Sequence, residues 1–247
     1  MMLSKNESKF IKSLKLKKYR QQERGFLVEG EKNVEEVLQS NLQIHSLVGT
    51  PEFLERLDPK YVVGHETRTV KQSQLESLGT LKSNQSALAV VRMPIVEGEE
   101  NQQDHIIALD SVSDPGNLGT IIRTMDWFGY RTLLCSEGTA DFYNPKAIAA
   151  TMGSFTRVFP HYVDLPDKLR ILKASGLNIY GLVLDGAPLT VGPLGPGVYV
   201  LGSESHGISS DVLRLLDHRL TISSSGRAES LNVAIASAIL LHELRRP

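Results

Sequence analysis

The sequence predicts an α/β protein in two parts, a small α/β/α sandwich over residues 1–92 and a parallel-sheet domain over residues 105–247, joined by a linker at 93–104. Three observations predict this. Short apolar runs alternate with helix-length segments along nearly the whole chain. One run, Ile106-Ile107-Ala108-Leu109, is apolar without a break, as a strand covered by helices on both faces would be. Between the two alternating stretches lies MPIVEGEENQQD (93–104), which is polar, acidic and without periodicity.

The elements follow in order. Residues 6–23 predict one basic helix, with Phe10, Ile11, Leu14 and Leu16 as its docking stripe. Strands are expected at 26–28, 44–48, 61–63 and 87–91, with helices at 30–38, 51–57 and 72–78 between them. In the second part, strands are expected at 106–109, 132–135, 156–159, 179–184, 198–201 and 219–222. The helix over 118–128 is closed by Gly129, and Asn117 is a candidate cap for it. The next helix, 145–152, has Asn144 as cap and Pro145 at its first position. Helices at 166–174, 210–216 and 231–244 complete the set, Ser230 capping the last. The stretch Gly192-Pro193-Leu194-Gly195-Pro196-Gly197 is too rich in proline to open a helix and reads as a rigid turn.

Bulk properties narrow the class. With 247 residues, 41% hydrophobic and 22% charged, the chain can bury a real core and is neither fibrous nor disordered. No apolar run approaches the ~18 residues of a membrane span, and no apolar h-region follows the lysine-rich start. A single cysteine, Cys135, on an apolar strand, excludes a disulfide framework and a cysteine-based zinc site. The expectation is a cytoplasmic protein that uses no metal. Charge is uneven. Residues 1–24 hold eight Lys and Arg against Glu7 and Glu23, in a chain of net charge −1. Lys12, Lys15, Lys17, Lys18 and Arg20 therefore read as an arm for a polyanion such as RNA, against the blander reading of a solvated helix face.

Three loops at expected strand ends have unusual content, and strand ends are where open α/β sheets bind ligands. The first is Asp114-Pro115-Gly116-Asn117-Leu118-Gly119 with Arg123 six residues beyond Asn117. The second is Leu201-Gly202-Ser203-Glu204-Ser205-His206-Gly207; a hydrolase elbow centred on Ser205 would need glycine where Ser203 stands. The third is the Ser/Gly loop from Ile222 through Ser224 and Gly226 to Ser230-Leu231-Asn232, which runs into a helix of small and apolar residues. Ser and Gly there let a backbone approach a ligand closely. No GxGxxG follows a strand, so a dinucleotide site is not supported.

In this order and spacing the loops resemble the three signature motifs of the SpoU/TrmH-type RNA 2′-O-ribose methyltransferases of the SPOUT superfamily. Asn117-Leu118-Gly119 with Arg123 is similar to the first motif, Gly202-Ser203-Glu204 with Gly207 to the second, and Ile222, Gly226 and Ser230-Leu231-Asn232-Val233 to the third. The segment from Asn144-Pro145-Lys146 to Met152-Gly153-Ser154 also resembles the family, and Gly25–Gly30 is similar to the L30e-like substrate-binding domain that many members carry. The chain departs from the family at Ser205, where glycine is usual, and at Ser223, where proline is usual.

The resemblance implies a C-terminal SPOUT domain tied in a deep trefoil knot, a homodimer, and S-adenosylmethionine as cofactor. It implies cofactor contacts from Gly202, Ile222, Ser224 and Leu231, and a catalytic set of Arg123, Asn117, Glu204, Ser230 and Asn232. The implied reaction is methyl transfer to a ribose 2′-OH, with ribosomal RNA favoured over transfer RNA; the alternative is an RNA-binding or ribosome-assembly protein that keeps the fold without transfer. Arg123 is the family's proposed base, yet a guanidinium with a pKa above ~12 is a poor one. A bidentate clamp on phosphate is the other role open to it.

Overall fold

The computed structural model of the chain describes residues 3–61, 64–81, 84–95, 105–189 and 194–245. It divides into two compact units, Met1–Val96 with Asp141–Thr156, and Glu97–Ala140 with Arg157–Pro247.

The first unit opens with α1 (Lys5–Ser13). Ser4 and Glu7 form a reciprocal capping box at its start: the Ser4 hydroxyl accepts the Glu7 N–H, and the Glu7 carboxylate accepts the Ser4 N–H. A second helix, α2 (Lys17–Glu23), follows. The single helix expected over 6–23 is thus broken, because Leu14 turns fully into the core and Leu16 takes an extended conformation, φ −97° and ψ 132°. Next come β1 (Gly25–Glu29), α3 (Glu31–Leu38), β2 (Ile44–Gly49), α4 (Pro51–Arg56), β3 (Glu66–Thr69), α5 (Gln72–Leu78) and β4 (Ala87–Arg92). The sheet order is β1-β4-β2-β3, with only β2 and β3 parallel. Of the strand expected at 61–63, Tyr61 instead ends a 3₁₀ turn, Pro59–Tyr61, and Val62 and Val63 lie outside the described residues. Ile11 and Leu14 from the arm pack with Leu27, Val48, Leu75 and Leu88, so the arm is part of the core.

Farther along the chain are β5 (His105–Asp110), α6 (Pro115–Phe128), β6 (Thr132–Ser136), α7 (Pro145–Thr151), β7 (Phe159–Val163) and α8 (Leu165–Ala174). Then come β8 (Asn178–Pro188), β9 (Gly197–Gly202), α9 (Ser210–Leu213), β10 (His218–Thr221) and α10 (Val233–Leu244). The strand expected at 156–159 begins only at Phe159, since Ser154–Thr156 closes into a 3₁₀ turn. Residues 96–104 of the expected linker and residues 192–193 of the Gly/Pro turn lie outside the described residues.

The α7 segment belongs to the first unit. There Phe26 of β1 packs against Tyr143 and Phe155, with ring centroids 4.7 and 6.1 Å apart. Arg20 of α2 pairs with Asp141 at 2.6 Å and also donates to the carbonyls of Leu14 and Lys15. This corrects one expectation: Arg20 is only 2% exposed and its guanidinium is occupied inside the protein, so it cannot face RNA. Lys12, Lys17 and Lys18 are exposed and Lys15 is half-buried.

In the second unit all six strands are parallel, in the order β10-β8-β9-β5-β6-β7. The chain winds from β5 through β6 to β7 in one direction, while β9 and β8 lie on the other side of β5. The topological switch therefore falls between β5 and β9, where the loops leaving the two strand ends diverge and open a crevice. One face of the sheet is covered by α8, whose Leu165, Leu169 and Leu172 join Ile106, Ala108, Val198 and Val200 in the core. On α6 and α10, which pack together, lie two of the three loops' continuations.

Candidate active site

At the switch point, the loop after β5 is shaped by Asp114. Its carboxylate accepts the Asn117 N–H at 2.9 Å and caps α6, with Pro115 at the first helical position. Asn117, expected as the cap, lies instead within the first turn, which leaves its side chain free for other contacts. At the far end of the site Asn232, not Ser230, caps α10: its carbonyl oxygen accepts the N–H groups of Ala234 (2.9 Å) and Ile235 (3.4 Å).

That cap fixes a chain of hydrogen bonds. With its oxygen turned to the helix, the Asn232 amide nitrogen donates to the Asn117 side-chain oxygen at 3.1 Å. The Asn117 nitrogen must then point away, and it donates to the carboxylate of Glu204. A helix terminus thus sets the orientation of two amides and, through them, the position of an exposed carboxylate. The three side chains come from three separate loops of the second unit.

Glu204 sits on a tight loop. Ser203 and Gly207 exchange backbone hydrogen bonds at 2.9 and 3.0 Å, and the His206 N–H donates to the Ser203 hydroxyl at 3.2 Å. Gly207 adopts φ +67°, a conformation that glycine takes without strain. A Cβ on Gly202 would lie 2.0 Å from the Gly207 carbonyl carbon and 2.2 Å from the Ile208 nitrogen. Glycine is required at 202 because the loop's own backbone folds back onto it. Ser205, the departure from the family pattern, has its hydroxyl 2.8 Å from His206 Nδ1.

Beside this loop is a cavity of about 630 Å³, within the range that holds a nucleoside-sized ligand. Of the expected residues, Gly202, Glu204, Ile222, Ser224, Ser230 and Leu231 all line it. The Ser224 hydroxyl also accepts the Gly226 N–H at 3.3 Å, which curls the third loop. Part of the remaining wall was missed by sequence reasoning: residues 182–185 of β8 and Arg219 of β10. Residues 182–184 and Arg219 read as ordinary strand, with Asp185 just beyond the expected strand end, but the β8–β10 register slips between Arg219 and Leu220, so that 182–186 have no ladder partner on β10. Gly186 was the available signal, because a Cβ there would lie 2.5 Å from the Leu220 backbone. Arg219 pairs with Asp185 across this wall at 2.9 Å.

The cavity's chemistry fits S-adenosylmethionine. Leu184 and Leu231 present exposed apolar faces suited to a base ring. Glu204 and Glu229 bring carboxylates to a space that would receive a cationic sulfonium and ammonium, and serine hydroxyls line the rest. Arg123 does not line this cavity. It stands on the exposed face of α6, and among the described residues none hydrogen-bonds or ion-pairs with its side chain. Its guanidinium is free to meet a substrate. Cys135 is fully buried in β6, and burial pushes its thiol pKa well up. Among the described residues no group of three or more His, Cys, Asp or Glu side chains is placed to hold a metal ion.

Comparisons with known proteins identify the family. The profile of the SpoU rRNA methylase family matches residues 104–242, and that of the MRM3-like substrate binding domain matches residues 5–89. The chain is 34% identical to the 23S rRNA (guanosine(2553)-2′-O)-methyltransferase of Bacillus subtilis, over 95% of this chain and 94% of that one. Among solved structures, a TrmH-family protein from Porphyromonas gingivalis is 40% identical and superposes with a TM-score of 0.89 over 99% of each chain. An AdoMet-bound rRNA methyltransferase from Sinorhizobium meliloti is 29% identical, with a TM-score of 0.88 over 99% of this chain and 96% of that one.

Proposed function

The chain belongs to the SpoU rRNA methylase family, and from that premise we propose that it transfers a methyl group from S-adenosylmethionine to a ribose 2′-OH of ribosomal RNA. The observation that carries this reading is the Asn232–Asn117–Glu204 relay at the edge of the 630 Å³ cavity, where three loops converge at the sheet's switch point. Ribosomal RNA is favoured because the relative matched along nearly its whole length bears that substrate in its name.

When bound, S-adenosylmethionine supplies a methyl group already activated on a sulfonium. What remains for the protein is alignment and removal of a proton from a weakly acidic alcohol. The backbone around Gly202, Ile222 and Leu231 would hold the adenosyl portion, with Ser224 on the same rim. The Asn232–Asn117 relay holds Glu204 still, and with Ser230 it organises the pocket around the target ribose. Arg123 either takes the hydroxyl proton or grips the neighbouring phosphate through its planar fork.

Two further readings belong here. The exposed apolar side chains Trp127 on α6 and Ile235 on α10 support a homodimer formed through that helix pair. A deep trefoil knot in the second unit is inferred from membership of the family alone. The exposed Lys12, Lys17 and Lys18, with Lys15 beside them, form the arm's RNA-facing surface. Action on ribosomal RNA would place the protein in the cytoplasm; among the described residues no helix is long and apolar enough to cross a membrane.

The test is methyl transfer from labelled S-adenosylmethionine to ribosomal RNA taken from a strain lacking the protein, with the 2′-O-methyl sites mapped. Transfer to one ribosomal nucleotide is expected. Binding of S-adenosylmethionine without transfer to any RNA would favour the assembly-protein alternative, and transfer to transfer RNA alone would move the substrate assignment.

A further inference from the structure

The proposed chemistry makes no use of Asp110, yet this carboxylate is among the most deeply buried in the second unit. It is the last residue of β5 and is 4% exposed. Among the described residues no Lys or Arg pairs with it. A buried carboxylate without a countercharge is costly unless its oxygens are hydrogen-bonded, and here they are. One oxygen accepts the Ser209 N–H at 2.7 Å and the other accepts the Ser111 hydroxyl at 3.3 Å.

The location explains the arrangement. On the β5–β9 ladder Asp110 stands opposite Gly202, where the Glu204 loop begins. Through its side chain it holds Ser209, where that loop ends. The Gly207 and Ile208 backbone lies folded on Gly202 between these two points, and the Ser203–Gly207 bridge closes the loop above them. Ser111 adds a second constraint. It adopts φ +60°, in the left-handed region unusual for serine, and its N–H donates to the Ser136 hydroxyl at 2.8 Å. The turn made there sends the chain toward Asp114 and Asn117, the partner of Glu204. One residue therefore governs the bases of both loops that meet in the relay.

We propose that Asp110 is a positioning residue for the methyl-donor site, stapling the loop from Gly202 to Ser209 closed so that its backbone lines the cavity and Glu204 meets Asn117. The role rests on the reading of this cavity as the S-adenosylmethionine site. An uncharged acceptor can keep the staple, because the Ser209 N–H needs only an oxygen. Removing the N–H from the other side must have the same effect as removing the carboxylate. Ser209 has φ −62°, so proline fits its backbone while lacking the donor.

The experiment compares Asp110→Ala, Asp110→Asn, Ser209→Pro and the Asp110→Ala/Ser209→Pro double variant with the wild type. Titration calorimetry with S-adenosylmethionine and steady-state kinetics are read alongside hydrogen exchange of the 203–208 amides without ligand. Asp110→Ala and Ser209→Pro should each weaken S-adenosylmethionine binding roughly tenfold, the scale of one charge-assisted hydrogen bond. KM for S-adenosylmethionine should rise well beyond any change in KM for RNA, and loop exchange should accelerate. Asp110→Asn should restore affinity to within about threefold, and the double variant should lose no more than either single one. Wild-type affinity and wild-type loop exchange in Asp110→Ala and Ser209→Pro would overturn the proposal, as would losses that add in the double variant. Should Asp110→Ala fail to fold, Asp110→Asn and Ser209→Pro still decide the matter. If the wild-type protein binds no S-adenosylmethionine, the reading of the cavity falls, while hydrogen exchange still tests the staple on its own.

Discussion

At the scale of single residues, Arg123 has the clearest test. It is exposed and has no partner among the described residues, so its loss should leave the fold and the cofactor cavity intact. Arg123→Ala should lower kcat by about 10²-fold or more, the range of a general acid–base contribution, with S-adenosylmethionine affinity unchanged. Arg123→Lys separates the two roles. Lysine is easier to deprotonate but lacks the fork. Substantial activity with a shifted pH optimum marks a base; activity as poor as alanine with weaker RNA binding marks a clamp. Full turnover in Arg123→Ala would remove this residue from the mechanism altogether. Gly202→Val makes a second test, for a reason the sequence could not supply. Its Cβ would strike the loop's own backbone at 2.0 Å, so the loop must shift and S-adenosylmethionine binding should be lost. The thermal midpoint should fall only modestly, since the clash is at the surface end of β9. Normal binding by this variant would show that the 202–208 loop does not build the pocket.

Among the elements, the N-terminal arm differs most from expectation, and the difference sharpens its prediction. The arm is two docked helices rather than one basic rod, fastened by Ile11, Leu14 and the Arg20–Asp141 pair. Hydrogen bonds from Ser4, with a further contribution from Arg68, hold the Glu7 carboxyl at about 2. A depressed carboxyl stabilises the fold above its unfolded pKa, and that contribution disappears only as pH falls from about 4.5 toward 2. The arm's cap is therefore in place throughout the neutral range, and Lys12, Lys15, Lys17 and Lys18 sit on a fixed scaffold. Neutralising those four to Gln should weaken RNA binding and flatten the dependence of log K on log salt by up to about four slope units, less if some lysines do not reach phosphate. S-adenosylmethionine affinity should not change. An unchanged salt slope would leave the lysines as a solvated face.

The comparison of sequence with structure divides along physical lines. The strand–loop–helix rhythm and the three loops were legible because Gly, Ser, Pro and Asn carry local conformational information. Even there, caps were placed by composition and missed by two or three residues: Asp114 and Asn232 do what was expected of Asn117 and Ser230. What stayed hidden depends on tertiary packing. Arg20 reads as one more basic residue until Asp141, far along the chain, is seen against it. The 182–185 wall exists because two strands slip in register, and Asp110 looks like any polar residue at a strand end. Burial and register are long-range properties, and a single sequence does not display them.

At the scale of the whole molecule, the outer face of α6 and α10 is the surface that a second copy would cover. Trp127, the chain's only tryptophan, is 84% exposed, and Ile235 on the packed neighbour is 52% exposed. Arg123 lies one turn before Trp127 on the same exposed face of α6. A second copy docked over Trp127 would therefore come close to the proposed catalytic arginine, so dimer formation and activity should be lost together. A buried tryptophan of this kind contributes about 2 kcal/mol or more to an interface. Trp127→Glu should give a monomer in analytical ultracentrifugation and remove most transfer activity, while Ile235→Asp, which keeps the tryptophan, should do the same. Fluorescence excited selectively at tryptophan offers an independent reading, since Trp127 is the chain's one indole among seven tyrosines. In the wild type its emission should be blue-shifted at concentrations where the dimer persists, and should move to the red on dilution. In Ile235→Asp it should be red at every concentration. A wild-type protein whose Trp127 emission is solvent-like throughout, with sedimentation as a monomer and full activity, would remove this helix pair as an interface and require the active site to be complete within one chain.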